Sequence, residues 1–550
     1  MIRKNFVAEY KFKLLWIIVT FFFLFAVIAI RLFLLQVCQK KFFTHLALGQ
    51  YGVHIKVDQP RATIYDRSGI VQLAFNREVP SVFILPGQLS NAQCLEKFLL
   101  ANYKDVYVRL KANPERHFLW VDRKLTPELL SFIMKQKLND LQIINELQRF
   151  YSCQPMAQVI GFTDVDNMGV AGIELMFNKH LAGVPSVVKL EKDARSKSFY
   201  FTRIVEQPGV PGHAVTLTLD STLQFLAFEE LKAAVTFHHA KGGSVLIMEP
   251  TSGQVLAMVN YPDFNPHQKS ISNLEITKNN VITDCFELGS VVKAFCALAA
   301  YEERAVKYDE LIDCEGKTTV IDGLRVTNWK SVGVLPFYDV IKNSSNIGVA
   351  KIAKRLGPKL YEHLRRIGFG SKTGIEFPGE RSGFVNPPDK WSRFSVLVMS
   401  FGYEIMASLV QLGRAFCIIA NGGYSLAPTL LKDPAPAPFK PAKLYRDDTI
   451  ALIKNTLEKI GERYPVKGCR IMGKTGTARC VKDGKYSKTA HVYTFAGIVE
   501  HGNYKRVIVT FVREPSQANL WAAGVAAPMF HNIAQKMVHY EMMKDNLMMV

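Results

Sequence analysis

Ser290 and Lys293, three residues apart, are the pair in this chain best suited to covalent chemistry. In a helix, positions i and i+3 share a face, so hydroxyl and amine can meet. A serine hydroxyl becomes nucleophilic only beside a base, and a lysine is a base only when neutral. Val291, Val292 and Phe295 would desolvate this lysine, and the positive end of the helix starting here disfavours its charge. A second lysine nearby would push it further the same way. Two later patterns offer partners. Ser344-Ser345-Asn346 leads into the apolar run IGVAKIA, and its plainer reading is a helix N-cap. Lys474-Thr475-Gly476-Thr477, upstream of HVYTFAGIV, reads as an edge strand that offers a cation and hydroxyls to a carboxylate. Its glycine lets another backbone approach closely. Lys372-Thr373-Gly374 repeats part of that pattern inside the Gly-rich loop GFGSKTGIEFPGE, without the following threonine.

The elements that must hold these residues are legible as pattern. GSVLIMEP, the turn Thr251-Ser252-Gly253 and QVLAMVN form a hairpin of two strands apolar on both faces, which belong inside a sheet covered by helices. RVIVTFV is another such strand, followed by the helix PMFHNIAQKMVHY. VTLTLD alternates as a strand, and Ser221-x-x-Gln224 reads as a capping box opening the helix LQFLAFEELKAAV. Before residue 210 the pattern is mixed: VHIKV and SVFILP read as strands and PELLSFIMKQKL as a helix. A Pro/Gly cluster at Gln207–Gly212 marks a domain junction. The class is α+β, with an antiparallel sheet flanked by helices in the C-terminal part.

Residues 14–37 form an apolar run interrupted only by Arg31, long enough to span a bilayer. Arg3, Lys4, Lys11 and Lys13 precede it, offset by Glu9, which favours a cytoplasmic N-terminus over 1–13. No small-x-small site follows the run, so it reads as an uncleaved single anchor with the rest of the chain outside the cytoplasm. The net charge is +20 over 550 residues, but the basic residues are scattered rather than gathered in a stripe. That pattern speaks against nucleic acid and fits a face toward anionic membrane or wall polymer. Nine cysteines at irregular spacings make no CxxC or zinc pattern, and Cys296 and Cys417 sit in apolar helical runs as buried small hydrophobes.

Taken in order, the three motifs resemble those of the serine penicillin-recognising enzymes. The likeness extends beyond them. RATIYDRSG (61–69) resembles the segment that begins the pedestal of class B penicillin-binding proteins, and IGFTDVDNMGVAGIEL (160–175) resembles the pedestal core. MEPTSGQVLAMVNYPDFNP, SFGYE and AAGVAAPMF also have family counterparts. VITDCFELGSVVKAF and YPDFNP are most similar to the division-specific branch of that family. Leu288 stands where the family usually has Pro, Val291-Val292 where it often has Thr-Phe or Thr-Val, and Ser345 where its second motif can carry Asp.

The resemblance implies a pedestal for dimerisation and interaction over 38–210 and a transpeptidase domain over 211–550. It implies that Ser290 attacks the penultimate D-Ala carbonyl of a peptidoglycan stem peptide while Lys293 takes its proton. Ser344 would relay a proton to the departing D-Ala, and Asn346 would hold the substrate amide and Lys293. Lys474, Thr475 and Thr477 would receive the terminal carboxylate beside Gly476, and the backbone N–H groups of Ser290 and Thr477 would form the oxyanion hole. An amine from a second stem would resolve the acyl-enzyme, no cofactor or metal would be needed, and β-lactams would stall at Ser290. Implied partners are stem peptides, a membrane-embedded glycosyltransferase and other division proteins, at the bacterial cytoplasmic membrane. Alternatives are an elongation-type transpeptidase, a D,D-carboxypeptidase or other hydrolase, and a pedestal-based scaffold, activator or β-lactam sensor.

Overall fold

A computed structural model of the chain describes residues 2–548 except 115, 117, 124, 193–198, 269–272, 433–440, 483, 518 and 519. Its N-terminal helix α1 (Ile2–Phe33) continues through a π-helical turn, Leu34–Cys38, into the helix Lys40–Tyr51. The apolar stretch Tyr10–Cys38 covers 29 residues, about 43 Å at the helical rise and more than the hydrocarbon core requires. It is the one described helix long and apolar enough to cross a membrane. The chain folds as two compact units, 1–60 with 182–212 and 61–181 with 213–550. The first unit also holds a three-stranded antiparallel sheet of Gly52–Val57, Ser186–Lys192 and Phe199–Gln207, in that order.

In the second unit, Ser81–Ile84 of the expected strand SVFILP form the end of the strand Gln72–Ile84, which pairs antiparallel with Gln142–Tyr151, and Pro86 already opens a 3-10 turn. PELLSFIMK forms the helix Pro127–Lys135, capped by the Thr126 hydroxyl and with proline at its first position. The two segments that resemble the pedestal meet in a buried charge cluster. Arg61 Nε and Arg149 Nε each donate to Glu174 at 2.6 Å, and Arg61 also donates to Asn178 Oδ1 at 2.8 Å and Glu174 O at 2.8 Å. Glu174 is fully buried, and Arg61 and Arg149 are each 4% exposed. Two cations on one carboxylate hold Arg61, Arg149 and the segment 167–178 in one geometry.

The C-terminal part is built on α2 (Ser221–Phe237), the hairpin β1 (Gly242–Met248) and β2 (Val255–Tyr261), helices α3 (Val292–Glu302) and α4 (Asn346–Leu356), α5 (Asp447–Gly461), strands β3 (Arg470–Lys482), β4 (Lys485–His501) and β5 (Tyr504–Arg513), and α6 (Ala522–Met548). The sheet is antiparallel throughout in the order β2-β1-β5-β4-β3, so β3 is an edge. Side chains alternate between two cores. Leu246 and Met248 join the cluster containing α3, while Val245 and Ile247 join the cluster with α2 and α6. Period-2 alternation with both sides apolar is what a sheet covered on both faces demands.

Three local expectations are corrected. The cap of α2 is Asp220, whose carboxylate accepts from the N–H groups of Thr222 and Leu223. Ser221 instead donates to Asp66 Oδ2 at 2.7 Å, and Gln224 bonds the backbone of Met258 and Pro155. A carboxylate at a helix N-terminus adds charge to the capping bond, so the aspartate takes the role. VTLTLD pairs as strand only at Val215–Thr216, because Thr218 Oγ1 turns to Val255 O (2.6 Å) and Asp220 is taken by the cap. Helix α6 also begins ahead of the expected proline, which lies inside it at Pro528.

Glu174→Ala leaves two guanidinium groups buried without their carboxylate and should destabilise the chain by about 3–5 kcal/mol, read as a lowered midpoint in thermal unfolding of the detergent-solubilised protein.

Candidate active site

Ser290 sits in a 3-10 turn, Gly289–Val291, that runs directly into α3. Three glycines let this turn lie flat against the edge strand. Gly289 has φ +54, and a Cβ on it would come within 2.4 Å of Thr477 O. A Cβ on Gly476 would meet Leu288 O at 2.7 Å, and one on Gly402 would meet Gly289 O at 2.1 Å. No side chain fits at any of these contacts. Gly476 therefore does what a glycine on an edge strand is suited to do, with the serine turn as the backbone that approaches.

From Val292 to Tyr301 every residue of α3 is buried, and Lys293 is carried inside with it, fully buried. Its Nζ lies 2.7 Å from Ser344 O, 3.1 Å from Ser344 Oγ and 2.6 Å from Asn346 Oδ1. Lys474, 1% exposed, reaches the same hydroxyl from β3: its Nζ is 3.1 Å from Ser344 Oγ and 3.2 Å from Thr475 O. Burial and the neighbouring Lys474 charge push the Lys293 amine well below the usual lysine range. Burial, then the Arg463 charge, brings Lys474 down to about 7. None of the groups bonded to either amine is a carboxylate. A neutral Lys293 satisfies its three contacts by donating to the two carbonyl oxygens, which only accept, and accepting the Ser344 hydroxyl proton. Among the described residues Ser290 Oγ is not one of its bonded partners, as is common before substrate tightens a site.

The second motif serves two purposes with three residues. Ser345 is the N-cap of α4, its Oγ accepting from Gly348 N at 3.0 Å and donating to Asn328 Oδ1 at 3.1 Å. Ser344, just before the cap, is held at φ +56, a conformation non-glycine residues seldom adopt. Asn346 presents Oδ1 to Lys293 while its Nδ2 donates to Thr327 O at 2.8 Å. Asn328, 2% exposed, also accepts from Ile347 N and so pins the turn from the opposite side.

Ser290, Ser344, Asn346, Thr475 and Thr477 line one cleft of about 630 Å³, with Lys293, Lys474 and Gly476 behind its wall. Thr477 Oγ1 accepts from Ala522 N at 3.4 Å, which sets the positive end of α6 beside the hydroxyls. All eight residues singled out by sequence thus converge on one place. The sequence reading missed Asn328, Trp329, Arg463 and Trp521, which belong to the same wall. None carries a local pattern: their role depends on chain segments brought in from far away. The second Lys-Thr-Gly is structural, with Thr373 N and Oγ1 both donating to Glu380 Oε1.

Residues 243–535 match the family model described as penicillin binding protein transpeptidase domain, and residues 56–217 match penicillin-binding protein dimerisation domain. A probable peptidoglycan D,D-transpeptidase PbpC of Pseudomonas aeruginosa is 32% identical over 486 residues, covering 86% of this chain and 85% of that protein. Peptidoglycan D,D-transpeptidase FtsI of Escherichia coli K12 is 29% identical over 497 residues, covering 86% and 82%. The fold matches penicillin binding protein 3 of Mycobacterium tuberculosis, solved with aztreonam, at a TM-score of 0.68 and 24% identity over 88% of this chain and 97% of that one.

Gly476→Ala should leave the fold intact but push the Ser290 turn off β3. A displacement of about 1 Å costs on the order of 100-fold in rate, measured as slower acylation by a fluorescent penicillin at unchanged circular dichroism.

Proposed function

The chain belongs to the class B penicillin-binding proteins, the peptidoglycan D,D-transpeptidases, and on that premise we propose that Ser290 is its acylated nucleophile and Lys293 the base that activates it. The observation that carries this reading is the pair of buried amines, each 3.1 Å from Ser344 Oγ, at the wall of the cleft that Ser290 lines. Burial and the neighbouring Lys474 charge both push Lys293 toward the neutral form that a base requires. Lys293 takes the Ser290 proton as the hydroxyl attacks the penultimate D-Ala carbonyl. The N–H groups of Ser290 and Thr477 hold the oxyanion, an arrangement worth roughly 3–4 kcal/mol per donor. Lys474 with the hydroxyls of Thr475 and Thr477 holds the terminal carboxylate, and Ser344, in contact with both amines, passes a proton toward the departing D-Ala. An amine of a second stem peptide then takes the acyl group and forms the crosslink.

Beyond the chemistry we assign the pedestal to 38–210 and the transpeptidase domain to 211–550, in keeping with the two matched families. The last two residues of that domain lie outside the described ones. Residues 14–37 anchor the chain in the bacterial cytoplasmic membrane, with the catalytic half on the outer side. Septal wall synthesis is the role supported by VITDCFELGSVVKAF and YPDFNP, with β-lactams acylating Ser290. A membrane glycosyltransferase and other division proteins are the partners this role requires of the pedestal.

Two measurements test the site. Penicillin acylation rates should fall at low pH as Lys293 gains a proton, and again above about 7 as Lys474 loses the charge that holds the carboxylate. In Lys474→Ala the alkaline limb should vanish. The acid limb should move to higher pH, because Lys293 no longer feels a like charge; an unmoved acid limb rules out Lys293 as base. Fluorescent penicillin should label the wild type and not Ser290→Ala, with the adduct mass on the intact chain. A D-amino acid added to a stem-peptide donor should then divert product from hydrolysis to exchange.

A further inference from the structure

Far from the cleft, the strand Gln142–Tyr151 is an edge: among the described residues it pairs with Gln72–Ile84 and with no other strand. In an antiparallel strand the N–H and C=O of one residue point the same way, and successive residues alternate. Two bonds show which residues point outward. Asn167 Nδ2 donates to Leu147 O at 2.8 Å, and Asn167 Oδ1 accepts from Arg149 N at 3.3 Å. The odd-numbered residues therefore face away from Gln72–Ile84. At Leu147 and Arg149 one side-chain amide closes the edge as a neighbouring strand would.

That cover stops short of the start of the strand. Ile143 and Asn145 point the same way, and among the described residues nothing bonds the backbone of either on that side. Gln142–Asn145 are all exposed, with Ile143 at 45% and Ile144 at 48%. This run carries no charge and no proline, the devices that usually blunt such an edge. The nearest charges are spent internally: Arg123 donates to both oxygens of Glu146, at 3.0 and 2.8 Å, and to Asp166 at 2.9 Å. The open run is also self-complementary. Laid antiparallel on itself about a twofold axis at Ile144, it sets Ile143 opposite Asn145 of a second copy, and the reverse. Both outward residues then exchange both of their bonds. Ile144 meets its own counterpart in a non-hydrogen-bonded pair, Cα atoms about 4.5 Å apart, where β-branched side chains pack. Gln142 falls opposite Glu146, so no like charges face each other. A shift by two residues fails either way. One needs Leu147, taken by Asn167; the other needs Leu141, buried and with its N–H bonded to Leu138 O.

We propose that Gln142–Glu146 is the surface through which two copies of this chain associate, edge to edge, about a twofold axis at Ile144. The sequence resemblance implies a dimerising pedestal without saying which surface pairs, and this edge supplies it. The contact is small: a stable free dimer buries about 800 Å² on each partner, more than five residues of strand provide. Two copies held in one bilayer by the span 14–37 meet at a far higher effective concentration than in solution. The pair is therefore sparse in detergent and populated in the membrane. The inference uses the anchor of the proposed function and none of its acyl-transfer chemistry.

The test reconstitutes the full-length chain in vesicles of phosphatidylethanolamine and phosphatidylglycerol and oxidises it with copper phenanthroline. Native cysteines, of which Cys38 and Cys94 are exposed, set the background in the wild type. Ile144→Cys should give roughly 10-fold more reducible dimer than that background, because its counterpart lies within disulfide reach. Ile143→Cys should stay at background, since its counterpart is a diagonal step of about 7–8 Å away. Adding Asn145→Pro to Ile144→Cys removes an outward N–H that an edge strand can spare, and should return the dimer close to background. None of these residues lines the active-site cleft, so penicillin labelling reports that each variant is folded. In a chain that still labels, Ile144→Cys at background, equal cross-linking at Ile143→Cys, or indifference to Asn145→Pro overturns the twofold contact. So does a cross-link from Ile144→Cys, in membranes of cells that express it, to a protein of another mass. A chain that does not float with the vesicles overturns the anchor and, with it, a dimer populated in the membrane.

Discussion

Two lysines are buried at one hydroxyl with no carboxylate bonded to either, and much of the catalytic half can be understood as the means of keeping them there. Removing an ammonium from water without a counter-ion costs several kcal/mol, and the chain avoids that cost by letting the group lose its proton. Two such groups share Ser344 Oγ, and the Lys474 charge disfavours one on Lys293. Lys293, on the wholly buried helix α3, is pushed toward its neutral form by burial and by the Lys474 charge. A base and a cation can thus arise from the same residue type, set apart by whose field each feels: Lys293 that of Lys474, and Lys474 that of Arg463. The apolar bulk of α3 is therefore part of the chemistry: with polar residues in place of Val291, Val292 and Phe295, Lys293 would be an ordinary solvated cation.

Backbone contact is the second requirement. The base is useful only if the serine turn lies against the strand that holds the substrate, and that contact leaves no room for a side chain on Gly289 or Gly476, while Gly402 packs as closely on Gly289. The strained turn at Ser344 follows from the same geometry. Its hydroxyl faces both amines while the next residue caps α4, and Ser344 does this in a left-handed conformation just ahead of the cap. The bonds from Ser345 and Ile347 to Asn328 hold that turn in place.

How much of this was legible in the sequence follows from the range of each interaction. The hairpin β1–β2 and strand β5 were readable because both faces of the sheet are covered, which leaves an unbroken apolar record. Ser290 and Lys293 were readable as a pair because one helical turn fixes their relation. Ser344-Ser345-Asn346 could be placed at a helix start, and the cap reading was right for Ser345, but which serine would turn to the lysines depends on φ at one residue and leaves no trace in composition. Asn328, Trp329, Arg463 and Trp521 were not legible at all, since only tertiary folding brings them to the wall. The capping box at Ser221 failed for a related reason. Its hydroxyl is claimed by Asp66, 155 residues earlier, and a stronger acceptor stood one position before it.

The same long-range logic explains why β3 stays open at the sheet's margin. A 13-residue edge strand is a hazard, because its unpaired N–H and C=O groups invite any extended chain. Folded proteins usually blunt such an edge with charge, proline or a covering element. Here the approach is partly covered by the serine turn and by the start of α6, and the stretch beyond Thr477 carries Arg479 and then the register shift. A cation on the edge repels the basic surface of another copy of this chain, whose net charge is +20.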